Sequence, residues 1–184
     1  NGFHYTVGFN LSDYQSEVTK FDNESKELGN WYVGQKQGEI WGYETYGLFQ
    51  SEQEIAGAAN QDKVSGGIKL MPGDIRFVDR NNDGVIDWGD NTVDNPGDKK
   101  IIGNSTPRYH YGINLGADWK GFDLGIFFQG VGKRDLYLPG TSFRSHYGSE
   151  WQVPSAYNND YWTEENTGAY FPRARFNGGS AINQ

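Results

Sequence analysis

The clearest pattern along the chain is a strict alternation of apolar and polar residues over positions 109–119. Every odd position carries an apolar or aromatic side chain, and every even position carries a polar residue or glycine. A period of two residues predicts a β-strand with two chemically different faces. The strand is longer than the roughly 5–6 residues usual in a soluble sheet. It matches the roughly 9–11 residues with which a tilted strand crosses a membrane.

Three other stretches extend the predicted sheet. Lys120 and Gly121 predict a two-residue turn, because glycine tolerates the positive φ that such a turn requires. Residues 122–132 then form the second strand of a hairpin, and residues 2–12 repeat the alternation of 109–119. Residues 39–49 alternate poorly, but they are rich in Trp, Tyr and Gly, and we predict a fourth strand there.

Long polar segments separate these strands. Residues 50–108 and 133–184 are rich in Gly, Asn and Asp and predict two long loops, with a short helix within 50–60. Outer-membrane barrels have short periplasmic turns and long extracellular loops. We therefore expect the turn at 120–121 to lie on the periplasmic side and both long loops to be extracellular. Residues 13–37 would then be an inner turn, for which they are long.

The pattern as a whole predicts an all-β fold, namely a fragment of a large antiparallel transmembrane β-barrel with long extracellular loops. On this interpretation residues 1–184 belong to one barrel domain. A soluble all-β domain with long loops is the alternative, because a half-buried strand of a soluble sandwich shows the same alternation. The chain opens inside a patterned stretch and ends in a Gly- and Asn-rich piece, so we expect a fragment of something longer.

Composition excludes several classes of protein. The chain has no cysteine, which rules out a disulfide scaffold and a zinc–thiolate site. It has 24 acidic and 16 basic residues and a formal charge of −8, which does not support binding to nucleic acid. No run of about 18 apolar residues occurs, so no membrane-spanning helix is expected. A closed barrel crosses a membrane without such a run.

Residues 79–90 match the calcium-loop pattern D-x-[DN]-x-[DN]-G followed by a closing acid. Four carboxylates in so short a turn repel one another unless a cation neutralises them. The extended residues before the loop, and Pro96 and Gly97 after it, argue against the flanking helices of an EF-hand. We predict a structural calcium site of modest affinity, on the order of 10⁻⁴–10⁻³ M. The alternative is a solvated turn without an ion. The predicted ligands are Asp79, Asn81, Asp83, the Val85 carbonyl, Asp87 and Asp90.

Motifs for catalysis are absent from the sequence. Neither G-x-S-x-G nor a P-loop occurs, and the three histidines lack metal-ligand spacing. We therefore expect no enzymatic activity. The second long loop is rich in aromatic residues, which can stack on sugar rings or anchor a protein partner, or else pack the loop onto its neighbours. These residues are Trp151, Tyr157, Tyr161, Trp162, Tyr170 and Phe171.

Five segments, in this order and spacing, resemble the C-terminal part of SusC/RagA-type TonB-dependent outer-membrane transporters. The resemblance extends over nearly the whole chain, from about residue 3 to residue 176. The segments are Gly38–Gln50; Gly73–Asp79 with the calcium-type loop; Ile101–Tyr109; Tyr111–Asn114 followed by Trp119–Gly130; and Tyr161–Asn166 with Phe171–Arg173.

The resemblance implies a 22-stranded barrel with a plugged lumen, surrounded by lipid in the outer membrane of a Gram-negative bacterium. It implies import of large nutrients, glycans or peptides, together with a SusD-like surface lipoprotein. The TonB system would act through parts of the protein outside these residues. A calcium-type loop is common in the family, so the ligand assignment carries over residue by residue. The second hypothesis is a soluble, calcium-stabilised β-domain that binds carbohydrate and needs no detergent.

Overall fold

The computed structural model describes residues 2–136 and 160–174, and within them the fold is all-β, as the sequence predicts. No helix in these residues is long and apolar enough to span a membrane. The strands are β1 (His4–Ser12), β2 (Glu39–Tyr43), β3 (Thr45–Leu48), β4 (Ile75–Phe77), β5 (Lys99–Asn104), β6 (Arg108–Trp119) and β7 (Phe122–Lys133). The helices are α1 (Glu52–Ala56) and α2 (Asp62–Ser65).

The three longest strands form one antiparallel sheet in the order β1-β6-β7. β6 and β7 are joined by a tight turn in which both Lys120 (φ 50°) and Gly121 (φ 89°) have positive φ. Two consecutive positive φ values match the turn type that fits the natural twist of a hairpin. The register is continuous from Trp119 opposite Phe122 to His110 opposite Val131, and Arg108 lies opposite Lys133.

This register sorts the side chains of the sheet by chemistry. Val7 lies opposite Leu115, which lies opposite Ile126, and Phe9, Ile113 and Phe128 are aligned in the same way. Because successive side chains point to opposite faces, all these apolar residues share one face. The other face carries the polar and glycine positions, such as Asn10, Gly112 and Gln129, together with Phe127.

Residues 39–49, which the sequence predicts as one strand, are two strands in the structure. β2 pairs with β5, and β3 pairs with β4, with an irregularity between Thr45 and Gly47. Neither joins the sheet of β1, β6 and β7. The strand is broken because its two halves pair with different strands, and both of these partner strands lie far from residues 39–49 in the sequence. The poor alternation of 39–49 is consistent with this local irregularity.

Residues 13–37 also differ from the expected inner turn. Ser12, at the end of β1, lies opposite His110 near the start of β6. The segment therefore leaves the sheet at the end opposite the turn at 120–121. Asp13 is fixed there by the Arg108 guanidinium, with Nε–Oδ1 and Nη2–Oδ2 distances of 2.5 Å.

The chain separates into two compact units. The first consists of residues 2–22, 31–40 and 103–136 and contains the three-stranded sheet. The second consists of residues 23–30, 41–102 and 160–174 and contains the 79–90 loop. Its buried apolar side chains are Phe49, Ile86 and Trp162, accompanied by the buried polar residues Gln61, Ser65, Asp74 and Asp98. We call this second part the loop unit.

Candidate functional site

The described residues leave the apolar face of the three-stranded sheet exposed. Phe9 is 66% exposed, Phe122 80% and Leu115, near the middle of β6, 36%. Soluble monomeric proteins rarely leave an apolar surface of this extent open. The same face continues to Phe3, just before β1. Its remaining exposed apolar residues, at odd positions of β1 and β6 and even positions of β7, are Tyr5, Val7, Leu11, Tyr109, Tyr111, Trp119, Leu124, Ile126 and Phe128.

Aromatic residues lie toward both ends of this face. Trp119 and Phe122 flank the tight turn, and the Lys120 ammonium lies 4.5 Å from the centroid of the Trp119 ring. Tyr109 and Tyr111 lie at the other end, while Val7, Ile113 and Leu115 occupy the middle. An apolar band between two aromatic girdles is the arrangement of a strand that crosses a membrane.

The end of the sheet away from the turn is held by an ion pair. The Arg108 guanidinium donates two hydrogen bonds to the Asp13 carboxylate, and the Tyr109 N–H donates to Asp13 Oδ1 at 3.3 Å. Bidentate pairing of this kind fixes geometry as well as charge. The Arg108 side chain lowers the pKa of the Asp13 carboxyl to about 2. Tyr109 has a φ of 58°, rare for a residue with a side chain, and the bond to Asp13 restrains it there.

The predicted calcium loop begins at Asp79, two residues after the end of β4, and its first half is a turn closed by hydrogen bonds from backbone N–H groups to side-chain oxygens. The Gly84 N–H donates to Asp79 Oδ2 at 2.8 Å, and Gly84 has the positive φ of 82° that the sharp turn needs. Asn81 and Asp83 are turned into the loop by bonds to backbone N–H groups two residues on. Among the described residues, Asp79 Oδ1 stands out as a buried side-chain oxygen without a hydrogen-bond partner.

The second half of the loop departs from the prediction. The carboxylate of Asp87 accepts from the Lys63 ammonium at 2.6 Å and from the Gly89 N–H at 2.8 Å. These two bonds lower the pKa of Asp87, and the Asp87 carboxylate raises the pKa of Lys63. Asp90 is exposed, and its Oδ2 accepts from the Asn95 side chain at 2.8 Å.

Asp98, which the sequence pattern does not single out, closes the loop in the structure. Its side chain is fully buried. Oδ1 accepts from the Arg80 N–H and Oδ2 from the Asp87 N–H, both at 2.8 Å. The carboxylate therefore ties the second and ninth positions of the loop together. The pattern misses Asp98 because it counts positions along the chain, whereas residues 88–97 make an excursion that returns next to Asp87.

The residues of the first half fit a hard cation, since they offer oxygen atoms and one carboxylate oxygen is buried without a partner. Asp79, Asn81 and Asp83 would hold the ion, and the ion would neutralise the carboxylates. In the part of the chain that the structure describes, however, no three His, Cys, Asp or Glu side chains are grouped as a metal site groups them. Asp87 and Asp90 are directed to other partners, so the fit is confined to the first half.

The described part of the second long loop, residues 160–174, packs against Gln50 and Gly73 within the loop unit. Trp162 is buried, and its indole N–H donates to Gln50 Oε1 at 3.1 Å. Gly73 has a φ of 92°, and a Cβ placed there would overlap the Trp162 ring. The Arg173 N–H donates to the Gly73 carbonyl at 2.7 Å. Trp162 is thus a core residue, while Tyr170 is exposed; Trp151 and Tyr157 lie outside the described residues.

Comparison with known proteins relates the chain to TonB-dependent receptors. It is 27% identical to TonB-dependent receptor P39 of Formosa agariphila, over 83% of this chain and 17% of that protein. It is 33% identical to TonB-dependent receptor P3 of the same organism, over 52% of this chain and 8% of that protein. The chain therefore spans less than a fifth of the length of the curated relatives that it matches. No protein-family profile matches it.

Proposed function

We propose that the chain is a wall and outer-loop segment of a SusC/RagA-type TonB-dependent importer in the outer membrane of a Gram-negative bacterium. The uncovered apolar face of the three-stranded sheet carries this proposal. Lipid is the natural cover for an apolar band that runs the length of strands long enough to cross a bilayer. The similarity to TonB-dependent receptors supports it independently.

Detergent dependence tests this proposal on the 184-residue chain. An apolar face without a protein cover makes the chain aggregate in water, and a micelle replaces the lipid. We expect sedimentation velocity to show aggregates in buffer and a single species in detergent. A stable monomer in detergent-free buffer would contradict the proposal and favour the soluble β-domain.

The cargo and partner belong to the same proposal. We propose that the protein imports large nutrients, glycans or peptides, with TonB driving release and a SusD-like lipoprotein at its outer surface. The similarity to TonB-dependent receptors supports the TonB part, and the resemblance of the five segments supports the lipoprotein. Purification of the tagged protein from its native outer membrane, followed by mass spectrometry, tests the partner. A stoichiometric surface lipoprotein is expected, and its absence would contradict this partnership.

We further propose that the 79–90 loop binds calcium as a structural ion. The partnerless, buried Asp79 Oδ1 supports this, because an unsatisfied buried carboxylate oxygen costs free energy that a cation removes. Calorimetric titration with calcium chloride tests it. Asp79→Ala and Asp83→Ala are expected to abolish binding, whereas Asp90→Ala, at an exposed carboxylate bound to Asn95, is the matched control. No heat of binding at millimolar calcium would contradict the proposal.

A further inference from the structure

The Lys63 ammonium places a positive charge beside the 79–90 loop, within the same unit of the structure. The Lys63 Nζ lies 2.6 Å from Asp87 Oδ2, although the two residues are 24 positions apart. Asp87 is the carboxylate at the ninth position of the loop, on the side that the fit to a cation does not include. An ammonium group therefore already neutralises one of the four carboxylates that made a cation necessary.

The backbone of the segment that precedes Lys63 is hydrogen-bonded to the loop, so the fold itself brings Lys63 close to Asp87. Asn60 pairs with the loop in parallel fashion: its N–H donates to the Gly84 carbonyl at 2.8 Å, and the Ile86 N–H donates to its carbonyl at 2.7 Å. Asn60 Oδ1 then accepts from the Asp62 N–H at the start of α2.

Gln61 anchors the same segment from the other side. It is 2% exposed, and its side-chain amide donates to the Ile75 carbonyl and accepts from the Phe77 N–H in β4. The residues before Lys63 are thus joined to both the strand that leads into the loop and the centre of the loop. This attachment fixes the backbone from which the Lys63 side chain reaches Asp87.

We propose that Lys63 is an internal counter-ion that competes with the divalent cation and sets its affinity low. Binding of the ion at Asp79, Asn81 and Asp83 brings two positive charges close to the ammonium, which must move away from Asp87 or tolerate the repulsion. The loop stays folded without the ion because Lys63 and the Asp98 carboxylate hold its second half. This inference rests on the proposed calcium site.

Lys63→Gln tests the proposal, because it removes the charge at similar length on a side chain that is more than half exposed. We expect calorimetry with calcium chloride on the 184-residue chain to show binding tighter by on the order of tenfold. Lys63→Arg keeps the charge and is expected to bind as the native chain does. Lys100→Gln breaks a similar pair with Glu44 outside the loop and is expected to change nothing.

Thermal unfolding provides a second measurement. In EDTA, Lys63→Gln is expected to unfold at a lower temperature than the native chain, and calcium is expected to raise its Tm by more. A purely structural lysine would give weaker or unchanged calcium binding on substitution, which would overturn this inference and leave the calcium site standing. Calcium binding by Lys63→Gln alone would support the inference and contradict calcium as a ligand of the native chain. If neither the native chain nor Lys63→Gln bound calcium, both the calcium site and the role of Lys63 would be contradicted.

Discussion

The three-stranded sheet and the loop unit place their apolar side chains in opposite environments. Phe9 and Phe122 of the sheet are largely exposed, whereas Phe49 and Ile86 of the loop unit are fully buried. Burial of apolar area is the main favourable term in folding. The loop unit therefore buries apolar side chains that favour its own folding, while the apolar side chains of the sheet are not buried by the described residues. This difference supports the proposal that lipid covers the apolar face of the sheet.

The largest expected effect comes from removing the centre of the loop unit's core. Ile86→Ala leaves a cavity beneath the 79–90 loop, of which Ile86 is itself a buried member, and is expected to cost about 2–5 kcal/mol. Hydrogen exchange of the amides in residues 60–98 measures it locally. Val7→Ala removes an exposed apolar group of the sheet and is expected to leave exchange in this region unchanged. Equal effects of the two substitutions would erase the contrast between the regions.

A charged side chain introduced on the apolar face of the sheet is expected to destabilise the protein slightly less than Ile86→Ala does. Leu115→Lys places an ammonium near the middle of β6 and is expected to cost about 2–4 kcal/mol if that position faces the bilayer core. Guanidinium unfolding of the protein in phospholipid vesicles measures the cost. Asn114→Lys, one residue away on the other face, is the matched control and is expected to be nearly neutral. A comparable loss from Asn114→Lys would contradict the assignment of the faces.

The closing carboxylate sharpens the account of the loop. Asp98→Ala leaves the Arg80 and Asp87 N–H groups without their acceptor and is expected to destabilise the loop unit by about 1–3 kcal/mol. Asp90→Ala, at the position that the sequence pattern assigns to closure, is expected to change stability by less than about 0.5 kcal/mol. Urea unfolding followed by tryptophan fluorescence compares them. The reverse order would restore Asp90 as the closing residue.

The smallest expected effect is a pH dependence of stability from the Asp13–Arg108 pair, at the end of the sheet away from the turn. The pKa of Asp13 is lowered to about 2 by Arg108, below its unfolded value of 3.8. The pair therefore contributes stability above pH 3.8, and this contribution is lost as the pH falls toward 2. Asp13→Asn is expected to remove that part of the pH dependence of the unfolding midpoint. An unchanged pH profile in the variant would show that the exposed pair contributes nothing.

The local parts of this fold were accessible from the sequence. The alternation at 109–119 and the Lys120–Gly121 turn depend on neighbouring residues, so they indicate the hairpin and the two faces of the sheet. The split of residues 39–49 was not accessible, because it depends on pairing of β2 and β3 with strands about 30 to 60 residues away. The same limit applies to the loop: Asp79 and Gly84 follow from the pattern, whereas Asp98 and Lys63 reach the loop through the tertiary fold.

The orientation of the apolar face is the central claim, and the absence of cysteine makes it directly measurable. Single cysteines at Val7, Ile113 and Leu115, and at Thr6 and Asn114 on the other face, each accept a nitroxide label in the vesicle-reconstituted protein. Electron paramagnetic resonance then compares collisions with oxygen, which concentrates in lipid, and with a water-soluble nickel chelate. We predict oxygen-dominated collisions at the first three positions and nickel-dominated or shielded labels at the other two. Labels at 113 and 115 that collide with neither reagent, as in a protein interior, would contradict the account.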